Sequence, residues 1–290
     1  MTDVSEQGEQ VAQASQPEGP SAAVPPPPPS RPPAEASRRV LHTALRWTAA
    51  VVVVFAAFGV AAAYGVTRME RTDVPGLATA SDGRWDYPEI HRPPLPSGSP
   101  GPFAETNKAG AHYADLRELV LPAPKGAKAD AELRGEDGWL AAESFLAEYA
   151  SKGDRETIGH MLTDNGLRHI AARGWTMRDG TRTRIYLLRF ATAAVVDDLL
   201  AGKLTAFDNP RYHLRGTEEV ADDEQFPASS QVDGVVRVLG NEAKPYGAEQ
   251  VRHAYLGAGD TVALIVQSRK GTAEAVPFQQ TVVLQSQLLS

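Results

Sequence analysis

Apolar residues fall along this chain in three ways: one unbroken block, several stripes at helical spacing, and several runs rich in β-branched residues. The block, in RWTAAVVVVFAAFGVAAAYGVTR, covers Trp47 to Thr67, twenty-one residues without a formal charge. At about 1.5 Å per residue, a helix of that length spans roughly the 30 Å hydrocarbon core of a bilayer. Trp47 and Tyr64 stand near its ends, where amphipathic rings favour the lipid–water boundary. Arg31, Arg38, Arg39 and Arg46 precede it, whereas Arg68 and Arg71 beyond it are interleaved with Glu70 and Asp73. That bias predicts a single crossing at 47–67 with the N-terminus cytoplasmic and the C-terminal part extracellular. The small residues Ala61-Ala62-Ala63 leave a cleaved signal peptide as the alternative, but the block is longer and lies farther from Met1 than such peptides have it. An uncleaved signal anchor is therefore the expectation.

The helical stripes begin beyond residue 110. Leu116, Leu119 and Val120 predict a short helix that Pro122 ends. Trp139, Ala142, Phe145, Leu146 and Tyr149 predict an amphipathic helix stopping at Gly153, and Ile158, Met161 and Leu162 predict another closed by Asn165-Gly166. The period then changes. LRHIAARGWTM and RTRIYLLRF flank Asp179-Gly180, which predicts a hairpin, and Thr192 starts a helix through Val195, Val196, Leu199 and Leu200 with Gly202 at its exit. VRHAYLG and TVALIVQS form a second expected hairpin about Gly259, and PFQQTVVLQSQLL a helix with Pro277 in its first turn. GVVRVL, 234–239, adds a strand. The expected class is α+β, antiparallel strands packed by helices. Hairpin followed by helix occurs twice, with Gly180 and Gly259 about eighty residues apart; an internal pseudo-repeat and the chance recurrence of a common motif both fit.

Composition sets the boundaries. Residues 1–46 read as a disordered Pro-rich cytoplasmic tail, whose Pro25–Pro33 segment favours polyproline helix. Residues 68–109 are rich in Pro, Gly and Ser and read as a stalk, and 110–290 as an extracytoplasmic α+β domain. Trp85, Tyr87 and Ile90 interrupt the stalk, either packed on that domain or exposed. The 290 residues carry a net charge of -7, and the part from Met69 onward has 24 basic and 31 acidic residues. An acidic outer part argues against nucleic acid as a partner. There is no cysteine, hence no disulfide framework and no lipidation on sulfur.

Motifs for chemistry are few. The seven histidines form no HExxH or zinc-finger spacing, Ser144 lies in no nucleophile elbow, and no phosphate-binding glycine loop or kinase signature occurs. No catalytic, cofactor-binding or metal residue is assigned, and no cofactor is expected. The acidic run with Glu218, Glu219, Asp222, Asp223 and Glu224 lacks the alternation of a calcium loop and reads as a solvated surface. Arginines cluster about the first hairpin at Arg168, Arg173, Arg178, Arg182, Arg184 and Arg189. Arg168, Arg173, Arg182 and Arg184 are the candidate surface for an anionic envelope polymer or lipid headgroup, against pairing with nearby acids.

VRHAYLGAGDTVALIVQSRKG followed by PFQQTVVLQSQLL, and DGTRTRIYLLRFATAAVVDDLL before it, resemble actinobacterial extracytoplasmic sensor-type domains found on some membrane Ser/Thr kinases and related lipoproteins. The resemblance covers about half of the expected domain. It implies a ligand- or partner-binding envelope module and transfers no functional residue. This chain departs from that group in having neither a kinase signature nor cysteines. The expected function is noncatalytic binding or sensing at the cell envelope, with the bilayer as a partner through 47–67 and an envelope polymer or membrane protein as the other. The alternatives are an envelope hydrolase or transferase whose site converges only in the fold, and an accessory subunit of a membrane complex.

Overall fold

The structure is a computed structural model and describes residues 81–207, 209–221, 226–242 and 244–290. The expected tail at 1–46, the crossing at 47–67, the start of the stalk and the centre of the acidic run lie outside the described residues. Among the described residues no helix is long and apolar enough to cross a membrane.

The centre of the described unit is a seven-stranded sheet in which every pairing is antiparallel. In chain order its strands are β1 (Lys128–Ala129), β2 (His169–Thr176), β3 (Arg182–Arg189), β6 (Val220–Ala221), β7 (Val236–Glu242), β8 (Glu249–Ala258) and β9 (Thr261–Lys270). Across the sheet they run β1-β2-β3-β9-β8-β7-β6, and β4 (Thr205–Ala206) and β5 (Asn209–Pro210) pair as a separate ribbon. The helices are α1 (Ala142–Leu146), α2 (Lys152–Asp164), α3 (Ala193–Asp198) and α4 (Ala275–Leu289). The class is thus α+β.

Alternation of side chains divides the core in two. On one face Ile185, Leu187, Ala263 and Ile265 pack with Phe278 and Val282 of α4. On the other, Tyr186, Leu188, Leu264 and Val266 pack with Ile158 and Leu162 of α2 and with Val196 of α3. Strand β9 is buried on both faces, which is why TVALIVQS reads as a continuous apolar run rather than an alternating one.

The first hairpin turns through Arg178-Asp179-Gly180. Gly180 N–H bonds Met177 O at 3.0 Å, Met177 N–H bonds Thr181 O at 2.8 Å, and the Asp179 carboxylate accepts from both the N–H and the hydroxyl of Thr181 at 2.9 Å. The second turn requires glycine twice over. Gly259 has φ +49°, and a Cβ there would stand 2.2 Å from Gly110 O. Strands β3 and β9 pair with Ile185 opposite Ile265, so the hairpins lie side by side. Their following helices go to opposite faces, α3 beside Tyr186 and α4 beside Ile185. A two-fold axis normal to the sheet would keep both on one face, so the likeness of the halves stops at the hairpins.

Two expected helices take other forms. Leu116, Leu119 and Val120 are buried, but the segment makes one turn, with Leu119 N–H on Asp115 O at 3.3 Å and Asp115 engaging Arg117. The stripe from Trp139 to Tyr149 is helical only over α1. At its start Trp139 is closed in a turn with Glu136 and Leu140 N–H bonds Ile170 O of β2 at 2.8 Å; at its end Ala150 N–H bonds His213 O at 2.9 Å. These bonds pull both ends out of the helix while Phe145 and Tyr149 stay buried. The exit of α3 passes Gly202 in a π-turn, Leu199–Lys203, closed by Leu204 N–H on Leu199 O at 2.7 Å.

Part of the segment read as a stalk belongs to the packed unit. Trp85, Tyr87 and Ile90 lie against the α4 face of the core. The Gln280 amide accepts from Trp85 N–H at 2.8 Å and donates to Trp85 O at 2.9 Å, and the Tyr87 and Thr281 hydroxyls are 2.9 Å apart. Gln285 does the same farther along α4, accepting from Leu121 N–H and donating to Leu119 O, both at 2.9 Å. Each side-chain amide, half-buried at Gln280 and buried at Gln285, pairs with main chain as a neighbouring strand would.

Candidate functional site

Beyond the short pairing of β1 with the end of β2, the segments on either side of β1 diverge from the β2 edge and leave a cleft of about 460 Å³. Its walls are mostly small residues, among them Ala123, Ala129, Ala171, Ala172 and Gly174. Gly174 permits the approach of the wall, since a Cβ there would meet Leu133 Cδ1 at 2.5 Å. The volume lies in the range of small-ligand sites, about 300–1,000 Å³.

Three arginines line this space, Arg117, Arg134 and Arg173. Arg117 is committed to the rim. It makes a close pair with Asp115, donates to Asp137 O at 2.9 Å and lies 4.9 Å over the Trp139 ring. The hydrogen bond from Arg117 holds the Asp115 carboxyl below its ordinary value. Arg173 is half-buried and donates through Nη1 to Val120 O at 2.6 Å. Burial lowers its pKa from the ordinary arginine value, so the site carries the cost of a partly desolvated charge. Neither Arg173 nor the exposed Arg134 has an acidic partner among the described residues. Asp130, the one acid of the lining, accepts Glu132 N–H at 3.1 Å.

The four arginines singled out from the sequence do not share a surface. Cross-strand register places Arg173 opposite Ile185, on the α4 face, and Arg184 beside Tyr186 on the other. Arg168 and Arg182 are exposed at opposite ends of the hairpin, about 25 Å apart at roughly 3.3 Å per residue. Arg184 is held in a buried cluster. Its Nε and Nη2 bond the two Glu148 oxygens at 2.7 and 2.9 Å, the Tyr186 hydroxyl donates to Glu148 at 2.6 Å, and Arg215 approaches to 3.9 Å. Burial pushes the Glu148 carboxyl up, and Arg184, Tyr186 and Arg215 more than offset it, leaving the group below its ordinary value. Of the four, only Arg173 reaches the cleft. Arg117 and Arg134 join it from a segment more than thirty residues earlier, a convergence that no local spacing signals.

The nearest approach to a hydrolytic pair is elsewhere. His112 Nδ1 lies 2.7 Å from Asp260 Oδ1, with the Thr261 hydroxyl 3.1 Å from the same oxygen. The His112 Nε2, however, is 2.9 Å from Leu289 O at the end of α4. Arg189 adds a hydrogen bond to His112 O and an ion pair to Asp260 at 3.5 Å. With both ring nitrogens occupied, the cluster clamps the 112 segment, the β8–β9 turn and α4 together and has no free base. Among the described residues no group of three or more His, Asp or Glu is arranged to hold a metal ion.

No protein-family model matches the chain, and no curated protein matches it in sequence.

Proposed function

We infer that this chain is a single-pass envelope protein, anchored at 47–67 with its N-terminus cytoplasmic, whose outer α+β unit is a noncatalytic binding or sensing module. The observation that carries the reading is the β2-edge cleft. A half-buried guanidinium without an acidic partner, Arg173, stands there with Arg134 around a space walled by alanine and glycine. Such an arrangement suits an anionic group of an envelope component, because arginine matches carboxylate and phosphate in planar, paired hydrogen bonds. The charge distribution at 46–73 and the resemblance to actinobacterial sensor-type domains favour the same reading.

The test is a titration of the full chain in lipid nanodiscs with acetate, succinate and inorganic phosphate. Saturable, salt-sensitive binding of at least one anion is expected, weakened roughly tenfold by Arg173→Gln and by Arg134→Gln. Binding unchanged in both variants, or none at all, would remove the cleft as the site.

A further inference from the structure

The cleft contains main-chain polarity as well as charge. Leu140 N–H bonds Ile170 O and Asp130 N–H bonds Gly174 O, both at 2.8 Å. The even-numbered residues of β2 thus turn their main-chain groups away from β3. In an antiparallel ladder the N–H and C=O of one residue point to the same side, and that side alternates along the strand. Ala172, midway between the two bonded carbonyls, therefore turns both groups outward. Neither has a partner among the described residues, and Ala172 lines the cleft with Arg173 and Arg134.

We propose that the cleft takes a short peptide acid by strand addition: one ligand residue exchanges main-chain hydrogen bonds with Ala172, and Arg173 and Arg134 hold the terminal carboxylate. The proposal rests on the cleft being a binding site and names its ligand class. A simple carboxylate ion matches the guanidinium groups but offers no donor to Ala172 O. An extended peptide with a free carboxylate meets the N–H, the C=O and the positive charge at once, the combination used in edge-strand peptide recognition. The open edge is short. Leu140 closes it at Ile170 and Asp130 at Gly174, about 13 Å apart with three residues between them, which admits two or three ligand residues.

Full-length protein in nanodiscs is titrated with trialanine, its C-terminal amide, trialanine methylated on the main-chain nitrogen of its central residue, and inorganic phosphate. Trialanine is expected to bind saturably, and amidation and N-methylation are each expected to weaken it about tenfold or more. Arg134→Gln, an exposed position, is expected to weaken trialanine about tenfold while the melting temperature holds. Equal binding of the N-methylated and parent peptides overturns strand addition. Phosphate binding with no response to trialanine overturns the peptide proposal and leaves an anion site standing. Failure of all four probes, with acetate and succinate also failing to bind, overturns both readings.

Discussion

At the scale of single residues, two buried titratable groups set what acid does to this fold. His253 on β8 is about 1 % exposed, lies against Gly240, and neither of its ring nitrogens has a hydrogen-bond partner among the described residues. Burial, with a smaller contribution from His213, lowers its pKa to about 4. An unfolded histidine titrates near 6.5, so between 6.5 and about 4 the unfolded chain binds the extra proton and stability falls as pH falls. The expected loss is on the order of 3 kcal/mol across that window. Urea unfolding at stepped pH should show it, and His253→Leu should flatten that part of the curve. Glu148 behaves in the same direction at lower pH, its depressed carboxyl holding stability that goes as it protonates. Breaking its pair by Arg184→Met leaves a buried carboxylate and should cost about 3–5 kcal/mol, whereas Glu148→Leu combined with Arg184→Met should cost much less. A double-mutant cycle of unfolding free energies reads the difference.

Among elements, the side-chain amides of α4 tie the N-terminal segment to the sheet. Gln285→Leu strands Leu121 N–H and Leu119 O, both without their partner, and should lower stability by about 1–3 kcal/mol. Faster amide exchange at Leu121 is the local signature, with β8 and β9 unchanged. Sequence pattern reached the hairpins because Asp179-Gly180 and Gly259 encode their own turns, and it reached α2 and α4 because their apolar stripes run three or four turns. It overextended the helices at 116–120 and 139–149, where burial is real but the first closes as a single turn on Asp115 and main-chain bonds to Ile170 and His213 draw the ends of the second out of the helix. Arg173 was visible as a basic residue in a strand. The edge at Ala172 was not, because an unpaired N–H and C=O depend on where distant segments 130 and 140 end their pairing.

For the whole molecule, the proposed arrangement places the sheet outside the cell and the Pro-rich tail within. Protease added to intact cells should therefore remove the part beyond residue 81 and spare an epitope placed before Arg31; protection of the sheet and loss of the epitope would reverse the orientation. If the cleft binds anions as proposed, the acidic charge makes it selective by contrast, since -7 overall repels polyanions at long range while Arg173 and Arg134 act at contact. Binding at the cleft should accordingly strengthen slightly with moderate salt for a highly charged polymer and weaken for a singly charged ligand, a distinction that titrations at 50 and 300 mM salt would expose.

The pairing of Trp85 with Gln280 spans 195 residues of chain. During synthesis at about 5–20 residues per second, Trp85, Tyr87 and the apolar cluster around Leu119 wait roughly 10–40 s before the helix that covers them has been made. Hairpins at 169–189 and 249–270 close locally in the meantime. The first part of the unit to emerge is thus the last to find its place, and nascent chains ending before residue 275 leave that apolar cluster uncovered.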